Sequence, residues 1–226
     1  MRDAMVESRG DEGGSMASKT DIAKALLSIQ AVFLRPDDPF TWASGIKSPI
    51  YCDNRLTLSY PEVRTLIDEA LAEKAKELYP DVEMLMGTST AGIAHAAIAA
   101  DRLGIPMGYV RGSAKDHGRQ NQIEGRCEPG TKVVVIEDLI STGGSVLECV
   151  DPLREIGANV LGVVSIFTYG MQRGLDRLAA DDVTNTSLCD LDTLVDVAVE
   201  EGYIKPEDKD RLLKFRDNPS DESWMA

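Results

Sequence analysis

The stretch Val133–Ser145, VVVIEDLISTGGS, constrains this chain more than any other. Four apolar residues are followed by two carboxylates, Glu137 and Asp138, and then by a turn of hydroxyl and glycine residues. This is the pattern of a buried strand running into a helix. A continuous β-branched run suits a strand covered on both faces, the usual condition of parallel sheets. In an open α/β sheet, ligands bind beyond the carboxyl ends of the strands. Ser141, Thr142, Gly143, Gly144 and Ser145 then line a helix N-terminus, where free N–H groups, short hydroxyls and the helix dipole favour a phosphate. The carboxylates ahead of it cannot bind phosphate and suit ribose hydroxyls or a divalent metal. Two other phosphate motifs are missing: no lysine follows the glycines, and no G-x-G-x-x-G follows a strand.

Around that strand the pattern alternates. Thr20 or Asp21 caps a first helix with Ile22, Leu26, Ile29 and Phe33 on its buried face. Arg35–Tyr60 is punctuated by proline and glycine and reads as irregular. A second helix follows Pro61 and buries Val63, Leu66, Ile67, Ala70, Leu71 and Leu78. Val82–Met86 is a short strand, Gly87–Ala91 a small-residue turn, and an alanine-rich helix runs to Leu103. Met107–Val110 is the next strand. Arg111–Gly130 is a polar loop, long enough to act as a lid or to hide a strand pair. The central strand spans Lys132–Ile136, its helix runs from Gly144 to Ile156 and stops at Gly157, and Val160–Phe167 is a further strand. The expected fold is α/β, a mainly parallel sheet flanked by helices. Residues 1–18 read as a disordered tail, 19–205 as the domain, and 206–226 as a charged extension that frays after a short helix.

Charge narrows the partners. The 226 residues carry 24 Lys and Arg against 38 Asp and Glu, a net charge of −14, which argues against nucleic acid. No apolar run approaches the roughly 20 residues of a membrane span. Residues 1–18 lack the apolar core of a secretory signal, so no membrane partner and a cytoplasmic location are expected. Cys52, Cys127, Cys149 and Cys189 form no C-x-x-C pair, and with His95 and His117 as the two histidines they read as free thiols rather than zinc ligands. His95 and Met84–Met86 read as helix and core residues. The charge is uneven: Asp176–Glu201 holds eight acidic residues and one arginine. Arg111–Arg126 instead holds Arg111, Lys115, Arg119 and Arg126 against Asp116 and Glu124, with His117 in addition. A basic, glycine-bounded loop in an acidic chain suits an anionic leaving group.

The Val133–Ser145 motif resembles the phosphoribosyl-pyrophosphate binding sequence of type I phosphoribosyltransferases. FTWASGIKSPIYCDNR at Phe40–Arg55 and RGSAKDHG at Arg111–Gly118 are similar to the orotate-binding segment and the mobile catalytic loop of the orotate phosphoribosyltransferase family. GTSTAG at Gly87–Gly92 is similar to its pyrophosphate loop, and IFTYG at Ile166–Gly170 and EGYI at Glu201–Ile204 resemble its bacterial branch. The resemblance runs in matching order from Asp21 to Gly202.

That resemblance implies the type I phosphoribosyltransferase fold, with a hood contributed by about residues 19–60. It implies transfer of the 5-phosphoribosyl group from 5-phospho-α-D-ribose 1-diphosphate to orotate, giving orotidine 5′-phosphate and pyrophosphate in pyrimidine biosynthesis. Lys115, Asp138, His117 and Arg111 are the implied catalytic residues. The donor falls to Arg111, Lys115, His117, Glu137, Asp138, Leu139, Ile140, Ser141, Thr142, Gly143, Gly144, Ser145, Thr88 and Ser89. Orotate falls to Ser141, Lys47, Ser44 and Tyr51, with Tyr51 either in contact or in the core. Mg²⁺ is the implied cofactor, held mainly by substrate and water without a direct protein ligand. The implied assembly is a homodimer, the loop of one subunit reaching the neighbour's site. Gly112 stands where better-known members carry a second basic residue, so Lys115 must supply more of the charge. Arg173 is a loosely placed candidate for the orotate carboxylate. Two alternatives remain: the same chemistry on another base, or a non-catalytic regulator that binds the same donor. A regulator of that kind needs a basic DNA-binding element, and Met1–Asp21 carries three basic residues against five acidic ones.

Overall fold

A capping box opens the first helix in the computed structural model, which describes residues 16–42, 45–112 and 122–225. Ser18 Oγ accepts from the Asp21 N–H, and the Asp21 carboxylate accepts from the Ser18 N–H, ahead of α1 (Lys19–Ser28). Ser18 is therefore the cap, in place of Thr20 or Asp21, and it packs with the helix rather than with a tail. The helix stops at Ser28, Gln30 takes a φ of 56°, and Phe33 leaves the helical face for β1 (Val32–Leu34). The punctuated stretch beyond it is not coil. With β2 (Phe40–Thr41), β3 (Lys47–Ser48) and β4 (Ile50–Cys52), it forms two small antiparallel pairs, β1 with β4 and β2 with β3. A 3-10 turn over Asn54–Ser59 leads to α2 (Pro61–Leu78), which starts at its proline as expected.

From there strands and helices alternate: β5 (Met84–Thr88), α3 (Ala91–Leu103), β6 (Met107–Val110), β7 (Ile123–Glu124), β8 (Lys132–Ile140), α4 (Gly144–Glu155), β9 (Asn159–Thr168), α5 (Gln172–Ala180), β10 (Asn185–Asp190), α6 (Leu191–Glu200) and α7 (Asp208–Asp217). They build one six-stranded sheet in the order β10-β9-β8-β5-β6-β7, parallel except for β7. The polar loop after β6 does hide a strand, since Ile123 and Glu124 pair back on Val110 and Tyr109.

Alternation along β8 divides the core. Val134 and Ile136 join Leu26, Leu71, Ala96 and Leu194 on one face, while Val133 and Val135 meet Val146, Val150 and Leu153 of α4 on the other. The strand outlasts its apolar run: pairing with β9 continues through Ile140↔Thr168, so Glu137 and Asp138 are strand residues. β10 carries Asn185, Thr186 and Ser187 and has no apolar alternation to announce it. It is held on β9 by a parallel ladder and by Ser165 Oγ, 2.6 Å from Ser187 Oγ. The C-terminal segment does not fray. Leu212, Phe215 and Trp224, the last in a 3-10 turn at Glu222–Met225, are buried, because three large apolar side chains suffice to dock an otherwise charged stretch.

The sheet and α3 come close at Gly92. A Cβ there would lie 2.5 Å from the Ile136 carbonyl oxygen and 2.5 Å from Thr88 Oγ1. Gly92→Ala is expected to destabilise the fold by roughly 1–3 kcal/mol through overpacking. Denaturant unfolding reads this directly, and an unchanged midpoint would show that α3 has room to move.

Candidate functional site

Glu137 sits at the centre of the site, 3% exposed. Thr88 Oγ1 at the end of β5 donates to its Oε1 at 2.6 Å, and the Asp138 N–H donates to the same oxygen at 2.9 Å. Ser145 Oγ, in the first turn of α4, donates to Oε2 at 3.3 Å. Burial, together with a hydrogen bond to the Asp138 carboxylate and that group's charge, raises the Glu137 pKa well above its ordinary value of 4.5. A protonated Glu137 lessens the negative charge beside a cradle for anions.

That cradle is the turn from β8 into α4. Gly143, with a φ of 74°, is the N-cap, and no side chain caps the helix. The N–H groups of its first turn are thus free to meet a ligand's oxygens. Ser141 and Thr142 are half-buried and Ser145 is exposed. Behind the turn lies α5, packed so tightly that a Cβ on Gly174 would stand 2.4 Å from the Ser141 carbonyl oxygen. Arg177 Nη1 donates to the Thr142 carbonyl at 3.3 Å and lies against Gly144. Nothing marks this cation in the sequence, because it belongs to the acidic stretch and lies 35 residues from its partner.

The remaining candidates fall around these two features. Leu139 is half-buried and Ile140 buried, so backbone rather than side chain faces a ligand at Ile140. The Ser89 N–H and Oγ both donate to the Val110 carbonyl, at 3.2 and 2.6 Å, tying the turn after β5 to β6. Arg111 begins the basic loop at a neck closed by β7. Its N–H donates to the Gln122 carbonyl at 2.8 Å, Gln122 Nε2 donates to the Arg111 carbonyl at 3.1 Å, and its guanidinium pairs with Glu124 at 3.4 Å. Lys115, His117 and Ser44 lie outside the described residues. Lys47 Nζ donates to Thr41 Oγ1 at 2.7 Å across the β2–β3 hairpin. Tyr51 is not core: it is 40% exposed and leans on Phe40 at a ring distance of 5.6 Å. Arg173 is exposed in the first turn of α5.

A buried polar chain that residue spacing does not reveal reaches the site from the other side. Asn54 Nδ2 donates to the Asp138 carbonyl at 2.7 Å, and Thr57 Oγ1 donates to the Asn54 carbonyl at 2.6 Å. Thr57 Oγ1 also lies 3.2 Å from His95 Nε2, and His95 Nδ1 lies 2.6 Å from Asp68 Oδ1. His95 is therefore a buried structural residue, as read from its helix, and Met84 and Met86 are core.

A sequence profile of the phosphoribosyl transferase domain family matches residues 58–196. The orotate phosphoribosyltransferase of Bacillus cytotoxicus is 58% identical over 208 residues, 92% of this chain and 99% of that protein. The crystal structure of orotate phosphoribosyltransferase from Aeropyrum pernix aligns with a TM-score of 0.70 at 31% identity, over 81% of this chain and 99% of that one. The Mycobacterium tuberculosis orotate phosphoribosyltransferase in complex with 5-phospho-α-D-ribosyl 1-diphosphate shares the fold, with a TM-score of 0.60 at 22% identity over 79% of this chain and 93% of that one.

The state of Glu137 can be read from stability. Below a pH near its ordinary pKa, the carboxyl is protonated in both folded and unfolded chains. Above it the unfolded chain ionises first, so the raised pKa makes stability fall as pH climbs toward neutrality. Glu137→Gln keeps the shape and one acceptor oxygen for Thr88 and the Asp138 N–H, turns the other position into a donor like the protonated carboxyl, and lacks the titration. Between about pH 5 and pH 8 the ligand-free variant is expected to gain stability relative to the unaltered chain. Parallel stability curves would mean that Glu137 is ionised in place.

Proposed function

The chain belongs to the orotate phosphoribosyltransferase family, and from that premise we propose that the end of β8 and the start of α4 hold the phosphoribosyl donor while the β2–β3 hairpin presents orotate. The reaction moves the 5-phosphoribosyl group from 5-phospho-α-D-ribose 1-diphosphate to a ring nitrogen of orotate, giving orotidine 5′-phosphate and pyrophosphate. One observation carries the reading: buried Glu137, with half-buried Asp138 beside it, is joined by Ser145 to an uncapped helix N-terminus. Few ligands need both hydroxyl acceptors and an anion cradle a few ångströms apart, and a ribose 5-phosphate does.

The displacement builds positive charge on the ribose and negative charge on the departing pyrophosphate. Ser141, Thr142, Gly143, Gly144 and Ser145 hold the 5′-phosphate, with Arg177 adding positive potential from behind the turn. Asp138 accepts from the ribose hydroxyls and lies near the developing positive charge, with Glu137, its oxygens already bonded, supporting it from behind. Thr88 acts through Glu137, since its hydroxyl is already committed there. Arg111, Lys115 and His117 close over the pyrophosphate and exclude water, so that hydrolysis does not compete. Lys47, Ser44, Ser141 and Tyr51 face orotate. No nucleophilic side chain is required, because orotate gives up its ring proton readily.

Magnesium suits this donor set. Among the described residues no group of three or more His, Cys, Asp or Glu could hold a metal, and donors already occupy both Glu137 oxygens. The ion would therefore be held mainly by substrate and water, without a direct protein ligand. Bound there, it neutralises charge on the donor. A homodimer in the cytoplasm completes the reading, the loop of one subunit reaching the other's site. Exposed Leu56 and Tyr60 in the hood give a second copy apolar surface to cover, and no described helix is long and apolar enough to cross a membrane.

Loss of orotate absorbance on adding the donor, dependent on Mg²⁺, tests the reaction. Uracil, adenine and hypoxanthine are expected to release no pyrophosphate, and turnover of any of them at the orotate rate would contradict the base assignment. Lys115→Ala is expected to lower kcat by about 10²–10³ with an unchanged unfolding midpoint. Near-normal turnover in that variant would remove the loop from the chemistry. Asp138→Asn is likewise expected to slow turnover, and an unaffected rate would move the ribose contact elsewhere.

A further inference from the structure

We propose that the C-terminal segment, α7 with the 3-10 turn at Glu222–Met225, is a clamp that positions the orotate-binding hairpin through Arg211 and Trp42. The role of the hairpin itself rests on the function proposed above. The hairpin needs such support: β2 and β3 share two paired positions, and a two-stranded ribbon of that size is not stable alone.

Arg211 supplies a polar tie. Its Nη2 donates to the Pro36 carbonyl at 2.6 Å and its Nη1 to Asp37 Oδ1 at 2.6 Å, both in the hood just ahead of β2. The same guanidinium donates to Asp208 Oδ1 at 3.1 Å on its own helix and to the Trp224 carbonyl at 3.1 Å. One rigid fork thus joins hood, helix and final turn, and a lysine could not span all of these acceptors.

The second tie is aromatic. The Trp42 ring meets Phe215 edge-on, with centroids 5.6 Å apart, and Tyr169 at 6.0 Å. Phe215 meets Trp224 at 5.8 Å, and both are buried. Trp42 also closes the hairpin turn, its N–H donating to the Ile46 carbonyl at 2.9 Å and its own carbonyl accepting from the Gly45 N–H at 2.8 Å. Whatever fixes the Trp42 ring therefore steadies its backbone pairing with Gly45 and Ile46, next to Lys47. The clamp is anchored in turn, since Arg216 pairs with Asp192 and Lys209 with Asp196, both on α6. Arg211 and Phe215 touch the hood and Trp224 backs both of them, so all three are positioning residues.

The chain has two tryptophans, Trp42 and Trp224. Trp224→Phe keeps the aromatic packing, removes a buried indole N–H that has no hydrogen-bond partner among the described residues, and leaves Trp42 as the sole reporter. In that background Arg211→Ala and Phe215→Leu are expected to shift Trp42 emission to the red. They are also expected to raise KM for orotate about tenfold, with KM for the donor and kcat at saturating orotate within about twofold. Arg211→Lys should fall between. An unchanged orotate KM in a folded variant, or both KM values rising together, overturns the clamp. If the unaltered chain fails to turn over orotate, the functional reading is what fails. The emission still decides the clamp in that case, and an unshifted Trp42 spectrum overturns it.

Discussion

A carboxyl group carried out of water at the end of a central strand is costly unless donors reach it. Glu137 draws three, one from β5, one from the next residue of its own strand and one from the first turn of α4. Satisfying that single buried group fixes the ends of three elements relative to one another, and those ends are the site. Burial and the neighbouring Asp138 carboxylate, working against those donors, raise the Glu137 pKa, which moderates the charge next to an uncapped helix N-terminus.

Two further supports hold the same point. From behind, α5 presses Gly174 and Arg177 against the turn, so the cradle has a rigid wall and a cation. From the hood, Asn54 grips the Asp138 carbonyl and is itself backed by Thr57, His95 and Asp68 in the core. The hood is joined to the sheet domain again through the aromatic cluster of Trp42, Tyr169 and Phe215. The β8–α4 turn and the β2–β3 hairpin are thus positioned by different contacts of one scaffold, so under the proposed assignment donor binding and orotate binding can be perturbed separately.

What could be read without coordinates followed from how locally each signal is encoded. The β8–α4 unit was legible because strand, carboxylates, turn and helix lie within 13 consecutive residues and each has its own chemical requirement. The alternation of β5, α3 and β6 was legible for the same reason. β10 was not, since an edge strand with Asn185, Thr186 and Ser187 has no apolar period to show. Ser18 was hidden by its polar neighbours, although the cap and its Asp21 partner stand at the expected spacing. The C-terminal segment read as frayed because Phe215 and Trp224 are isolated aromatics in charged sequence, and their value lies in partners such as Trp42, far away along the chain. Arg177 was lost in an acidic stretch for a similar reason. Net charge argues against a nucleic-acid surface, yet the sign that bears on anionic substrates is that of the loop starting at Arg111 and of the turn backed by Arg177.

The most direct measurement of where the chemistry sits is a crystal structure of the protein with orotidine 5′-phosphate bound. The phosphate should lie within hydrogen-bond reach of the N–H groups from Thr142 to Ser145, with the ribose hydroxyls on Asp138 and the base under the β2–β3 hairpin. A nucleotide whose phosphate sits away from the start of α4, or whose ribose leaves Asp138 facing bulk water, would contradict the assignment.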